Sequence, residues 1–422
     1  MTASWFFTWA MGWAASALPK TLFVGGYVRW AAAGDFNGDG KPDLALPNYL
    51  QPSISIFLND GSGGFGTAST FPTVKNAGVI GVGDFNNDNK LDLAVLTGRA
   101  DVSILLGNGN GSFGAPTSYP VGKGPIAISM ADFNDDNNLD LAISTYSSMK
   151  VKVLLGDGKG HFAGSSSYPL GGNSFTLATG DFTGDGEIDL AVGVSNIDSP
   201  HVAIFAGNGD GTFTPGQLVA VPDASGIATS DFNGDGKLDI AVATYGFNTV
   251  AVALGDGAGQ FGALRELFLG HPRHAAIDVA AGDFNGDGKP DLVTADYPAY
   301  HTIGDAAVLL NIPRVNLVAS DPSASETGAD TGKFRVTRTG CTLDRLLIRY
   351  VVSGTATPNQ DYAGLSGEVS IPAGKVGAAI EVVPVDDSIT ESAETVTLTL
   401  ASDPAYSVGG QESATVVIND ND

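Results

Sequence analysis

Apolar residues along this chain come in short runs separated by polar, glycine-rich breaks. Leu91-Asp92-Leu93-Ala94-Val95-Leu96 is typical, and Leu139-Asp140-Leu141-Ala142-Ile143 and Leu238-Asp239-Ile240-Ala241-Val242 repeat it. Runs of this length, rich in branched residues and bounded by Gly, Asn and Asp, predict buried strands. From 18 to 312 the pattern resolves into units of four short strands. In the second unit the expected strands cover 79–85, 91–97, 102–106 and 113–121. With no helical period, the fold class is all-β, and short strands joined by Gly-rich turns predict a radial array of four-stranded blades, a β-propeller. From 313 the character changes. Strands expected at 332–338, 346–352, 368–371, 378–385, 395–400 and 414–419, about seven in all over the last 110 or so residues, predict an Ig-like β-sandwich.

The break between the first and second strands is itself repeated. Asp35-Phe36-Asn37-Gly38-Asp39-Gly40-Lys41-Pro42-Asp43-Leu44 recurs from Asp84, Asp132, Asp181, Asp231 and Asp283, at spacings of 49, 48, 49, 50 and 52 residues. Such a period marks one supersecondary unit per copy. Oxygen-bearing side chains stand at positions one, three, five and nine. They are Asp35, Asn37, Asp39 and Asp43; Asp84, Asn86, Asp88 and Asp92; and Asp132, Asn134, Asp136 and Asp140. The last three copies supply Asp181, Thr183, Asp185 and Asp189; Asp231, Asn233, Asp235 and Asp239; and Asp283, Asn285, Asp287 and Asp291. Position seven (Lys41, Lys90, Asn138, Glu187, Lys237, Lys289) would offer its backbone carbonyl. Alternate residues of a curled loop aim their oxygens at one centre, and Ca2+ takes about six to eight oxygens. Position six is Gly40, Gly186, Gly236 and Gly288, or Asn89 and Asn137, so a positive φ is expected there. An EF-hand starts alike but ends on a bidentate Glu at position twelve. Here that position is Leu46, Val95, Ile143, Val192, Val242 or Thr294, inside a strand. The plain alternative is an Asp/Asn/Gly-rich turn that holds no ion. Six copies in one register argue against it.

A second turn, Gly-x-Gly-x-Gly-x-Phe, follows the third strand at Gly107, Gly156, Gly207 and Gly255, with a variant at Asp60, and is missing after the sixth unit. Residues 18–26 align with the fourth strand that unit lacks. An N-terminal strand that completes the last blade would close the ring and remove sheet edges. Six blades fit this count, and seven would need a blade the sequence does not show.

Composition narrows the function. The 422 residues carry a net charge of −25, and the 18 Asp at positions one, five and nine of the loops account for most of it. Six divalent ions would offset 12 of those charges. A nucleic-acid partner, which needs a basic footprint, is excluded. Cys341 is the single cysteine, so no intrachain disulfide forms and calcium would be the staple. Loops as weak as those of extracellular modules, with Kd on the order of 10⁻⁴–10⁻³ M, would fill only outside a cell. Residues 1–17 read as an export segment, with Ala15-Ser16-Ala17 as the cleavage site, although Lys and Arg are missing from its start. A disordered or locally packed N-terminus is the other reading. No stretch reaches the length of an integral membrane segment.

The loop and the Leu-Gly-Asn-Gly-x-Gly-x-Phe turn together resemble FG-GAP (VCBS-type) repeats over about 70% of the chain. These form the propellers of integrin α-subunit heads, many bacterial surface proteins and fungal lectins. The resemblance implies about six calcium ions in the loops. Thr183 and the third loop's Asp135-Asp136-Asn137-Asn138 depart mildly from the pattern; Thr183 still offers a hydroxyl oxygen, which implies weaker binding there rather than none.

In the sandwich, Glu326, Asp361, Asp386, Asp387, Glu391, Glu394, Asp420 and Asp422 fall between strands. Acids gathered at one pole repel unless a cation bridges them, or else they form a solvated rim. Here the chain resembles a Calx-beta domain. The resemblance rests on Ala324-Ser325-Glu326, Gly354-Thr355-Ala356-Thr357-Pro358 with Asp361-Tyr362, Ile371-Pro372-Ala373-Gly374, Val385-Asp386-Asp387 with Glu391 and Glu394, and Ile418-Asn419-Asp420-Asn421-Asp422. It implies further calcium sites at those acids.

The acidic loops and Gly-rich turns are expected on one face of the ring and the more variable connections on the other, where recognition is usually placed. Candidate ligand-binding residues there are Tyr49, Tyr146, Tyr245, Phe247, Tyr297, Tyr300 and His301, able to stack on sugar rings or anchor a protein. His271-Pro272-Arg273-His274 reads as a fortuitous basic loop. The leading expectation is a secreted or surface-attached, calcium-rigidified adhesion or glycan-recognition protein, non-catalytic, monomeric or part of a larger adhesin. A calcium-dependent polysaccharide lyase or hydrolase is the alternative, although no Gly-x-Ser-x-Gly or His-Glu-x-x-His is present. The third is a spacer that binds nothing.

Overall fold

The computed structural model describes residues 22, 28, 30–73, 77–98, 100–196, 198–269, 274–285, 288–298, 305–326, 330–339, 345–386, 388–403 and 405–420. Among them every regular element is a strand. Five antiparallel four-stranded sheets follow one another. The first holds β1 (Ala32–Gly34), β2 (Asp43–Asn48), β3 (Ser53–Phe57) and β4 (Ser69–Pro72). The second holds β5 (Ala77–Gly83), β6 (Asp92–Thr97), β7 (Asp101–Leu105) and β8 (Thr117–Pro120). The third holds β9 (Pro125–Ala131), β10 (Asp140–Thr145), β11 (Lys150–Gly156) and β12 (Phe162–Pro169). The fourth holds β13 (Asn173–Gly180), β14 (Asp189–Ser195), β15 (His201–Gly207) and β16 (Phe213–Ala220). The fifth holds β17 (Ala224–Ser230), β18 (Asp239–Thr244), β19 (Thr249–Ala253) and β20 (Arg265–Phe268). A sixth sheet has three strands, β21 (His274–Gly282), β22 (Asp291–Pro298) and β23 (Asp305–Leu309). Of the strand expected at 18–26 only Leu22 lies within the described residues, and the segment 1–17 lies outside them.

The second strand of each sheet explains the unbroken apolar runs. Every residue of β6, β10 and β18 is buried, because sheets lie against both faces. The fourth strands β4, β8 and β20 face solvent and are polar. First strands pack side by side in sequence, β1 on β5, β5 on β9, β9 on β13 and β13 on β17. A separate apolar layer fills each gap; Phe85, Ala94, Val102 and Ile104 meet Leu141, Ile143, Leu154 and Phe162 between the second and third sheets. Each buried Leu, Ile or Phe of this kind contributes about 1.5–3 kcal/mol. This stacking is that of propeller blades.

The seam between neighbouring sheets is stitched on the acidic-loop side. The Phe36 carbonyl accepts the Gly111 amide at 2.8 Å, Phe85 that of Gly160 at 2.9 Å, Phe133 that of Gly211 at 2.7 Å and Phe182 that of Gly259 at 2.9 Å. The phenylalanine of each of the first four acidic loops also meets, edge to face, that of the next sheet's Gly-rich turn. Centroids are 5.7 Å apart for Phe36–Phe113, 5.8 Å for Phe85–Phe162, 5.4 Å for Phe133–Phe213 and 5.7 Å for Phe182–Phe261.

The C-terminal strands form two sheets. One has the order β29–β26–β24–β31 and the other β25–β32–β30–β27–β28. Their ranges are β24 (Arg314–Asp321), β25 (Ser323–Ser325), β26 (Gly332–Thr339), β27 (Leu346–Gly354), β28 (Glu368–Ile371), β29 (Gly377–Val382), β30 (Glu394–Leu400), β31 (Ser407–Val408) and β32 (Ser413–Asn419). Nine strands thus replace the expected seven or so. Pro322, without an N–H, ends β24, and the chain crosses to the other sheet as β25, which pairs in parallel with β32. The ladder of β29 with β26 stops at Gly332–Val382, so β29 is shorter than the expected 378–385. The chain beyond turns to Asp361–Ala363, where the Ala363 amide meets the Val383 carbonyl at 2.9 Å and the Val385 amide that of Asp361 at 3.0 Å. Phe334, Val336, Ile348, Tyr350, Leu398 and Val416 fill the space between the sheets.

The chain divides into two compact units. One runs to Ser230 and takes in Lys237–Ala280 and Thr294–Ala307; the other comprises Asp231–Gly236, Ala281–Val293 and Val308–Asp422.

Candidate metal centre

Each acidic loop is curled by its own side chains. Asp35 Oδ1 accepts the amides of Asn37, Gly38 and Asp39 at 3.3, 2.8 and 3.1 Å, and Oδ2 accepts that of Gly40 at 2.7 Å. Asn37 takes the amide of Asp39, and Asp39 that of Lys41, both at 3.0 Å. These are Asx turns in series. They hold the Asp35 carboxyl below its ordinary range, the Gly40 amide most of all. Asp84 accepts the amides of Asn86, Asp88 and Asn89; Asp132 those of Asn134, Asp136 and Asn137; and Asp181 those of Gly184 and Gly186. Asp231 accepts those of Gly234, Asp235 and Gly236, and Asp283 that of Gly288. Thr183 turns its hydroxyl to Asp181 at 3.5 Å. Positions one, three and five therefore share one curled loop in each of the first five copies. Position five also takes the position-seven amide at Asp88–Lys90, Asp136–Asn138 and Asp185–Glu187. Asn285 and Lys289 are described; Asp287 lies outside the described residues. A carboxylate has about four lone-pair directions, so one that accepts amides retains room for a cation.

Position six is left-handed as expected, with φ of 79° at Gly40, 61° at Asn89, 61° at Asn137 and 83° at Gly236. Position four is left-handed too, at Gly38, Asn87, Asp135, Gly184 and Gly234. Glycine in only three of those copies hid this from the sequence.

Position nine plays a part that its letter alone did not reveal. Asp43, Asp92, Asp140, Asp189, Asp239 and Asp291 are fully buried behind the loop. Asp92 Oδ2 accepts the Phe85 amide at 2.8 Å, and Oδ1 accepts the Gly107 amide, just past the third strand, at 2.7 Å. Asp43 binds Phe36 and Asn59 in the same way, Asp140 binds Phe133 and Gly156, Asp189 binds Phe182 and Gly207, and Asp291 binds Phe284 and Asn311. Asp239 accepts the Gly255 amide at 2.9 Å. Glycine is needed at 107, 156, 207 and 255 because a Cβ would come 2.2–2.4 Å from the carbonyl oxygens of Leu91, Leu139, Ile188 and Leu238. Burial pushes Asp92 and Asp140 up to about 6.

The sandwich gathers carboxylates more tightly. Asp361 lies after β27, Glu391 before β30 and Glu394 at its start; one oxygen from each lies within 4.8 Å of the others, the one such cluster among the described residues. Asp361 Oδ2 accepts the Thr357 amide, and Asp420 accepts the Glu391 amide, both at 2.5 Å. Glu326 is tied by its own amide to the Asn419 carbonyl at 3.3 Å. Glu394 Oε2 is buried with no hydrogen-bond partner. Desolvation first, then Asp361, Glu391 and Glu326, push Glu394 up to about 7. Carboxylates held this close need a proton or a cation between them. An all-oxygen set with one buried oxygen unpartnered fits a hard cation. Asp386 is exposed, and Asp387 and Asp422 lie outside the described residues.

On the rim opposite the acidic loops, Tyr146, Tyr245 and Phe247 are 40%, 49% and 58% exposed, and Tyr49 is half-buried. Tyr146 meets Phe175 edge to face at 5.3 Å, a partner that sequence reasoning missed. The Tyr297 side chain, Tyr300, His301 and the basic residues 271–273 lie outside the described residues.

Two family models match the chain. The FG-GAP-like repeat matches residues 35–95, 84–143, 132–192, 181–242 and 231–294, and the Calx-beta domain matches 312–422. No curated protein matches. Among solved structures, the apo form of the Calx CBD1 domain is 23% identical over 26% of this chain and 99% of its own, with a TM-score of 0.23. The CBD12 of CALX1.2 is 23% identical over 26% of this chain, which spans 46% of that structure's length, with a TM-score of 0.23. A functionally unknown protein from Desulfotomaculum acetoxidans is 13% identical over 68% of this chain and 90% of its own, with a TM-score of 0.48.

Proposed function

The chain belongs to the FG-GAP-like repeat family and ends in a Calx-beta domain, and on that premise we propose that it is a calcium-stabilised recognition protein working outside the cell. The observation that carries this is the meeting of Asp361, Glu391 and Glu394 within 4.8 Å, an arrangement that Ca2+ would relieve. Asp361, Glu391 and Glu394 would hold the ion, with Glu326 and Asp420 beside them. In the propeller, positions one, three, five and seven would hold further ions, and position nine would support the loop from behind. Bound calcium would neutralise charge and lock the loops; the rim opposite them would bind a glycan or a protein. We assign the chain no catalytic step. Among the described residues no helix is long and apolar enough to cross a membrane.

Calcium titration of chelator-stripped protein by calorimetry, with Tm followed alongside, tests the reading. Six or more ions with a large rise in Tm are expected. No uptake would reduce both sets of acids to turns and a solvated rim.

A further inference from the structure

The rim is not equally closed between all blades. Position fifteen of the repeat, one residue past the second strand's core, is Tyr49, Tyr146, Tyr245 and Tyr297 in four copies, Gly98 in the second and Ser195 in the fourth. Beside Ser195 lies a cleft of about 490 Å³ lined by Asn173, Ser195, Asn196, Pro200, Pro222, Asp223 and Phe247. That volume falls within the roughly 300–1,000 Å³ of small-molecule sites. All seven residues belong to one compact unit.

Asp223 is placed there at a conformational cost. It has φ 49°, in the left-handed region, and its carbonyl accepts the Tyr245 amide at 3.0 Å. The equivalent residue two repeats earlier is Gly124, φ 70°, whose carbonyl accepts the Tyr146 amide at 2.7 Å. Glycine suits this backbone and is used in the sister repeat. An aspartate held there instead presents a carboxylate to the cleft, and strain retained in this way marks a site. Ser195 Oγ donates to Asp223 Oδ1 at 2.7 Å, which fixes the carboxylate and leaves Oδ2 without a hydrogen bond among the described residues. Asn196 is oriented by bonds to the Gly171 carbonyl and the Asp198 amide at 3.0 and 3.1 Å. The Asn173 side chain makes no hydrogen bond among the described residues, and Phe247 stands 58% exposed.

We propose that this cleft binds a neutral saccharide, a proposal that rests on the recognition reading above and names its site. A carboxylate oxygen and a carboxamide side by side match vicinal hydroxyls, and the exposed Phe247 ring matches the C–H face of a pyranose. Asp223, the one carboxylate of the lining, repels uronic and sialic acids and favours a neutral sugar.

The test is capture of the full chain, in calcium, on a printed panel of neutral, amino and acidic mono- to tetrasaccharides beside matrix proteins. Native protein, Asp223→Gly and Phe247→Ala are compared. Glycine suits φ 49°, so Asp223→Gly should melt no lower than native while losing about tenfold or more of neutral-sugar capture, the loss of one charge-assisted hydrogen bond. Phe247→Ala should lose capture with Tm unchanged. Neutral-sugar capture undiminished by either substitution overturns the cleft but leaves the recognition reading standing. Capture of matrix proteins with no saccharide overturns the ligand class alone. Silence on the whole panel overturns both.

Discussion

At the scale of single residues, two aspartates of the same motif do different work. Asp140 is buried and carries the amides of Phe133 and Gly156 at 2.9 and 2.7 Å, whereas Asp235 lies in an exposed loop. Asp140→Ala would strand two buried amides and cost about 3 kcal/mol. The loss should appear equally in calcium and in chelator when followed by denaturant unfolding. Asp235→Ala should lower Tm only in calcium; an equal fall in chelator would show that position five serves folding and not metal. The sequence made the acids visible but not this division, since burial depends on the turn that lands behind the loop. The left-handed position six was legible because it is Gly or Asn in every copy. Position four was not, since Asp135 and Asn87 there look like any loop residues.

At the scale of elements, the unit of cohesion is the seam between blades. Phe162 lies on Phe85 and Tyr119, with centroids 5.8 and 5.5 Å apart. Phe162→Ala opens a cavity at that seam and should cost about 3–5 kcal/mol, visible as a lower unfolding midpoint; a change under about 1 kcal/mol would place the cohesion elsewhere. Periodicity gave the spacing of the repeats and their strands, but it could not say which copy touches which. The pairing of each loop with the following repeat's turn is a three-dimensional fact. The crossing between sheets at Pro322 did leave a sequence signal, a proline closing the alternating Val315–Asp321, but no strand is expected from the sequence before 332.

At the scale of the whole molecule, charge sets how stability responds to pH. Burial raises Asp92 and Asp140 from 3.8 to about 6, and desolvation with neighbouring acids raises Glu394 from 4.5 to about 7. A raised value in the fold favours the protonated form. Its stabilisation is full below the unfolded value and is lost as pH rises through about 6 to 7. Stripped protein should therefore melt at lower temperature at pH 8 than at pH 5.5, and saturating calcium should flatten or reverse that trend. A stripped protein more stable at pH 8 would show that these acids are not crowded as described. Finally, four successive stitches between neighbouring blades join the same two registers, a loop phenylalanine and the next repeat's turn glycine. Repeats with this property are interchangeable parts. A lineage could trade a whole repeat by recombination within the acidic loops, acquiring a different rim cleft in one step while the seam that receives it stays as it was.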